Sequence, residues 1–173
     1  MNEVMNAILS RRSIRKYTDK PVPEEILGEL VDAALHAPSG MCGKTWNFTV
    51  VCGKDAIKKL CTAISEALGR SGYDMYGPAA LIIPSNLKEN RFGKEDNACA
   101  LQNIFIAAQS YGVSSVWINQ LQGICDSPVI RPVLREFGIP DDHVVYGIAA
   151  LGYADPSQPA PVYKNAGKVR YVR

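Results

Sequence analysis

Hydrophobic positions along the chain switch between helical and strand spacing, and the two rhythms lay out the elements in order. Asn2 to about Ser10 is an amphipathic helical stretch, followed by the basic run Arg11-Arg12-Ser13-Ile14-Arg15-Lys16, which is too polar to continue an apolar face. Pro23 supplies a helix-ready first position with Glu24 and Glu25 in the first turn, and Ile26, Leu27, Leu30, Val31 and Ala34 share one face until Pro38 and Gly40 stop the helix. Asn47 to Cys52 is rich in β-formers and predicts a strand, and a helix from about Asp55 keeps Ile57, Leu60, Cys61, Ile64 and Leu68 in register. Gly69 to Pro78 is a flexible connection, and Ala79 to Ile83 a buried strand. From about Glu95 to Tyr111 a long helix carries Leu101, Ile104, Phe105 and Ala108, closes at Gly112 and is expected to hold the centre of the core. Ser114 to Ile118 and Val144 to Leu151 are further strands, separated by a short helix capped by Ser127 with Pro128 first, and Val169 to Val172 is a short extended tail.

These elements predict an α+β fold, with helices flanking a mixed or antiparallel sheet of about four or five strands. No Gly-x-Gly-x-x-Gly follows a strand to open a helix, so a dinucleotide-binding βαβ unit is unsupported. No repeat or low-complexity tract divides the 173 residues, and one domain spanning 1–173 is expected.

Composition narrows the function classes. With 47% hydrophobic and 21% charged residues, disorder and fibrous architectures are excluded. Nineteen basic against seventeen acidic side chains leave +2, which gives no reason to expect a nucleic-acid or membrane-surface partner. The longest apolar runs fall far short of the roughly 18 residues that span a bilayer. The N-terminal stretch carries an acid and lacks a sustained apolar run, so no secretory signal is expected. Five cysteines without a C-x-x-C pair argue against a disulfide framework, a zinc knuckle or an iron–sulfur cluster, and fit reduced thiols in a cytoplasm. His36 at a helix end and His143 in a loop lack a third ligand at metal-binding spacing.

Two clusters carry candidate chemistry. Arg11, Arg12, Ser13 and Arg15 combine fixed guanidinium charges with a hydroxyl, a set suited to phosphate or another delocalised anion; a solvated loop flanking a helix has the same composition. Ala37-Pro38-Ser39-Gly40-Met41 joins a rigid turn, a small hydroxyl, a backbone open to close approach and a flexible thioether, as flat ligands use, and equally reads as a helix stop with Met41 in the core. Cys42 is a thiol without an evident base, and Tyr73 and Tyr76 are candidates to line a pocket.

The chain resembles the nitroreductase family of flavoproteins over almost its whole length. The resemblance runs through Arg11 to Tyr17, Ala37 to Met41 with Trp46 five residues on, Asp96 to Asn103, Tyr111 to Ile118 and Ala149 to Tyr153, ahead of a Pro/Lys/Arg-containing tail. It implies a homodimer holding FMN at its interface, with electrons passing from NADH or NADPH to a small-molecule acceptor: a nitroaromatic, a quinone or a free flavin. By resemblance, Arg11 and Ser13 contact the FMN phosphate or ribityl chain with Arg12 nearby, and Arg15 is the cation beside the pyrimidine edge. Pro38, Ser39, Gly40 and Met41 approach from the other subunit, and Trp117, Ile118 and Asn119 form the strand end whose backbone nears flavin N5. Gly152 lies in a loop near the phosphate, Lys164 or Lys168 closes on it, and the arm from about 160 to 173 packs on the partner subunit. No side-chain acid, base or nucleophile is required, because the isoalloxazine carries the hydride chemistry. After Met41 the Asn-Arg-Gln-Pro-Trp of many family members is replaced by Cys42-Gly43-Lys44-Thr45-Trp46, so the resemblance does not carry over the asparagine's polar ring-edge contact. A flavin carrier or sensor without turnover, or a dehalogenating or flavin-fragmenting enzyme on the same scaffold, is compatible with the same clamp.

Overall fold

A computed structural model describes residues 2–158, 162 and 167–173. Its elements are α1 (Glu3–Ser10), α2 (Glu24–Leu35), β1 (Trp46–Val51), α3 (Lys54–Leu68), β2 (Ala80–Leu87), α4 (Gly93–Ser110), β3 (Ser114–Ile118), α5 (Arg131–Glu136), β4 (His143–Val144) and β5 (Ile148–Gly152), with a 3₁₀ turn at Gly40–Cys42.

Local chemistry sets the boundaries. Asn2 Oδ1 accepts the Met5 amide at 2.9 Å and caps α1. Gly69, at φ 61°, ends α3 in the left-handed conformation that lets the Arg70 amide reach Ser65 O at 2.9 Å. Ser127 and Pro128 form a turn leading into α5 rather than its first residues: Ser127 Oγ accepts the Ile130 amide at 3.3 Å, and the helix proper begins at Arg131.

The sheet order is β1-β2-β5-β3, β4 pairs with the end of β2, and every pairing is antiparallel. Strand β2 runs beyond Ile83, across Pro84, to Leu87. Proline is tolerated because β5 pairs β2 only up to Ile82 and β4 only from Asn86, so Pro84 sits where that edge has no partner strand. The stretch expected as one strand from Val144 to Leu151 is two. The Val145 amide turns aside to donate to Cys125 Sγ at 3.3 Å, and pairing resumes only at Ile148. His143 lies on β4, buried, with Nδ1 3.1 Å from Ser85 Oγ, not in a loop.

The core is two layers rather than one centred on α4, because the middle strands are covered on both faces. Leu81, Ile83, Ile148 and Ala150 point toward α3 and α5 with Ile57, Leu60, Ile64 and Leu134. Their neighbours Ala80, Ile82, Ala149 and Leu151 point toward α2 and α4 with Leu27, Leu30, Leu101 and Ile104. That alternation explains the near-continuous apolar sequence of β5. Helix α1 packs on α4 yet buries only Ala7, leaving Val4, Met5, Ile8 and Leu9 exposed. The tail from 167 to 173 forms no strand. No helix among the described residues is long and apolar enough to cross a membrane.

Candidate functional site

The basic run leaves α1 and docks across the end of the sheet. Ser13 bridges Ser115 on β3, and the Ile14 amide donates to Ser115 O at 3.1 Å. Tyr17 then anchors the segment: its hydroxyl donates toward Ile14 O at 2.9 Å and Ala150 O at 3.2 Å, and burial pushes its pKa well above the ordinary tyrosine value. Farther on, the Thr18 amide donates to Tyr153 O at 2.8 Å. Lys16 pairs with Asp155 at 3.0 Å, and the Ser157 amide, its hydroxyl and Lys16 hold that carboxyl down at about 2. Arg11, Arg12 and Ser13 are half-buried on this ledge and Arg15 is exposed. Arg12 Nη1 donates to Leu9 O and Arg11 O, which orients its guanidinium. Arg15 lies 5.9 Å from the centroid of the Tyr76 ring, at the outer range of a cation–π contact.

The Pro38–Met41 segment is held by different elements. The Gly40 amide donates to Asp96 Oδ1, in the first turn of α4, at 2.7 Å. A Cβ on Gly40 would meet the Phe92 ring at 2.3 Å, so only glycine fits there. Met41, Cys42 and Lys44 then adopt φ of 53°, 57° and 47° around a right-handed Gly43, a left-handed conformation uncommon for side-chain-bearing residues. Ser39 Oγ accepts the Lys44 amide at 3.3 Å. Met41 is 85% exposed, so the thioether faces outward rather than into the core. A polar network closes the far end: Thr45 donates to Asn86 Oδ1 at 2.6 Å, and Asn90 donates to Thr45 Oγ1 at 2.9 Å and to Asp96 Oδ2 at 3.1 Å. Among the described residues no hydrogen bond or ion pair joins this segment to the Arg11–Arg15 ledge.

At the far end of β3, Trp117 is half-exposed and Ile118 buried. The Trp117 indole donates to Asn119 Oδ1 at 3.3 Å, and the Asn119 amide donates to Gln120 Oε1 at 3.0 Å. Gly147 lies under the indole, where a Cβ would come within 2.5 Å of the ring. Gly152 is the last residue of β5 rather than a loop residue. The space of its missing side chain is taken by Tyr17, 2.8 Å from where a Cβ would stand. Lys168 is exposed on the tail, and Lys164 falls outside the described residues. Met75 and Tyr76 are also left-handed, at φ 52° and 71°, with Met75 fully buried so that Tyr76 is turned outward toward Arg15.

Sequence reasoning missed the supports. Asn86 and Asn90 carry no signature of their own, and Tyr17 and Asp96 stood out only as members of the family-like runs, with no role attached. Asp96 reads as an acid placed for its helix N-terminus, and only the fold brings it 56 positions back along the chain to Gly40.

Comparison with known proteins places these segments in context. Residues 8–81 and 67–153 match the model of the nitroreductase family. A putative NADH dehydrogenase/NAD(P)H nitroreductase of Methanothermobacter thermautotrophicus is 34% identical over 154 residues, covering 87% of this chain and 77% of that protein. One of the same description from Archaeoglobus fulgidus is 32% identical over 158 residues, covering 88% and 86%. The crystal structure of a nitroreductase with bound FMN from Bacteroides fragilis superposes with a TM-score of 0.92 at 36% identity over 100% of both chains.

Proposed function

The chain belongs to the nitroreductase family, and from that premise we propose that it uses FMN to carry electrons from NADH or NADPH to nitroaromatic, quinone or flavin acceptors. The observation that carries this reading is the ledge made by Arg11, Arg12 and Ser13, docked on β3 through the Ser13–Ser115 bridge. Its donor chemistry fits one terminal phosphate. Guanidinium charge persists at any working pH, and each charge-assisted bond to phosphate contributes roughly 1.5–3 kcal/mol. Arg11 makes no side-chain hydrogen bond among the described residues, so its donors are uncommitted.

When bound, FMN supplies the redox chemistry, accepting hydride at N5 and then passing electrons on, in two half-reactions that share one face of the ring. The protein binds, orients and tunes. In this reading Arg11 and Ser13 hold the phosphate or ribityl chain with Arg12 beside them, and Lys164 or Lys168 closes from the tail. Arg15 sets a positive charge at the pyrimidine edge, where it favours the anionic reduced ring. The backbone of Trp117, Ile118 and Asn119 presents itself near N5, which requires Gln120 to release the Asn119 amide. Gly152 serves the phosphate end of the site by letting Tyr17 close behind the ledge.

Pro38, Ser39, Gly40 and Met41 serve the cofactor of a second copy, in a homodimer of single-domain chains spanning 1–173 whose arm from about 160 to 173 lies on the partner. Support comes from the apolar side chains left exposed: Val4, Met5, Ile8 and Leu9 on α1, Met41, and Val169, Tyr171 and Val172 on the tail. Such an interface makes FMN binding and subunit association thermodynamically linked. The test is an absorbance spectrum of the purified protein before and after anaerobic NADH or NADPH, with the released cofactor identified by chromatography and the mass followed by sedimentation. Rapid bleaching of bound FMN in a dimer is the expected result. Bound flavin that neither nucleotide reduces would leave only the carrier or sensor reading, and a monomer binding FMN stoichiometrically would refute the shared site.

A further inference from the structure

We propose that Asp96 is a positioning residue whose carboxyl latches the Pro38–Met41 segment in the conformation that meets the cofactor; this rests on the functional reading above. Asp96 is 3% exposed and makes no ion pair among the described residues. Its two oxygens are divided between two donors: Oδ1 takes the Gly40 amide at 2.7 Å, and Oδ2 takes Asn90 Nδ2 at 3.1 Å. A carboxyl removed from water without a cation opposite is costly, so its retention calls for the geometry it enforces.

That geometry is specific. Gly40 is clamped between Asp96 on one side and the Phe92 ring on the other. Thr45 is tied to Asn86 and Asn90. Between these two fixed points Met41, Cys42 and Lys44 are left-handed, and such conformations persist only where their surroundings impose them. Asn90 touches both ends, donating to Thr45 Oγ1 and to Asp96 Oδ2. The latch therefore sets where Met41 projects, although Asp96 itself lies beneath the segment and touches no cofactor or substrate.

The test uses the full chain with and without FMN. Asp96→Leu removes both acceptors. Asp96→Asn keeps an acceptor for Gly40 but turns an amide donor toward the Asn90 amide. Without FMN, amide hydrogen exchange of Gly40 is followed by NMR, with far-UV circular dichroism reporting the fold. With FMN saturating, the visible circular dichroism of the bound flavin and its rate of anaerobic reduction are measured.

Asp96→Leu and Asp96→Asn are expected to speed Gly40 exchange about tenfold or more, alter the visible dichroism and slow reduction at full occupancy roughly tenfold to a hundredfold, the range of one lost charge-assisted hydrogen bond. If Asp96→Leu does not fold, Asp96→Asn decides the matter. Folded, flavin-loaded variants with unchanged dichroism and reduction rate overturn the proposal, even if their melting temperature falls, because the role is then only structural. An unmutated chain that takes up no FMN sinks the functional reading, and this proposal with it.

Discussion

Substituting Gly147 by alanine tests the strand end at Trp117 directly. An ideal Cβ at position 147 falls 2.5, 2.6 and 2.7 Å from Cε2, Cζ2 and Nε1 of the Trp117 indole. Carbon atoms pack at about 3.5–4 Å, so the indole must move by an ångström or more, or the backbone must give. Moving it breaks the 3.3 Å bond to Asn119 and the tilted packing on Phe105, whose ring centroid lies 6.3 Å away. Overpacking of this kind costs about 1–3 kcal/mol. At about 3 °C per kcal/mol for a chain of this size, the melting temperature should drop by roughly 3–9 °C. Gly28→Ala is the matched control. It lies inside α2 with nothing within 4 Å of the new methyl, and should gain about 0.5–1 kcal/mol from the lower helix penalty of alanine. Thermal unfolding by circular dichroism gives the two shifts. Tryptophan emission reports the environment of Trp117, since the other tryptophan, Trp46, is buried and distant in sequence. Equal or higher stability of Gly147→Ala with unchanged emission would refute the close packing assigned here.

On the proposed assignment of Arg15 to the ring edge and of Arg11 to Ser13 to the phosphate, Arg15→Ala should leave FMN bound but slow its reduction by NADH or NADPH; unchanged kinetics at full occupancy would contradict that role. Cys42→Ser should retain turnover, since Cys42 is exposed and carries no disulfide among the free thiols Cys42, Cys52, Cys61, Cys99 and Cys125, and the flavin performs the redox step; lost turnover with intact FMN binding would make the thiol a participant. Burial holds His143 below its ordinary value of 6.5, so the folded protein resists a proton that the unfolded chain accepts. Stability contributed by the neutral ring is therefore present above about pH 6.5 and lost as pH falls below it, and His143→Gln should flatten the slope of urea-unfolding stability between pH 7 and 5. Identical slopes in the two proteins would rule this out.

Local chemistry alone fixed much of the architecture. The proline start of α2, the glycines after α3 and α4 and the apolar spacing of all three are properties of neighbouring residues, so these helices were legible to within a few residues, and β3 matched Ser114 to Ile118 at both ends. The basic run and the Pro38–Met41 segment also declared themselves, because guanidinium clusters and Pro-Ser-Gly turns carry their chemistry in composition. What the tertiary structure decided was every feature whose partner lies far along the chain. The expected strand stopped at Ile83, yet β2 continues across Pro84 because its edge is unpaired at that point. Val144 to Leu151 read as one strand until Cys125, twenty positions away, took the Val145 amide. Gly40 read as backbone open to close approach, and the Phe92 ring fills that space; Gly152, expected in a loop, ends β5 with Tyr17 against it. Asp96 read as a helix-start acid, and folding turned it into the acceptor for Gly40. Periodicity encodes which face of an element is apolar, but a hydrogen bond or a steric fit across dozens of residues exists only once the layers close.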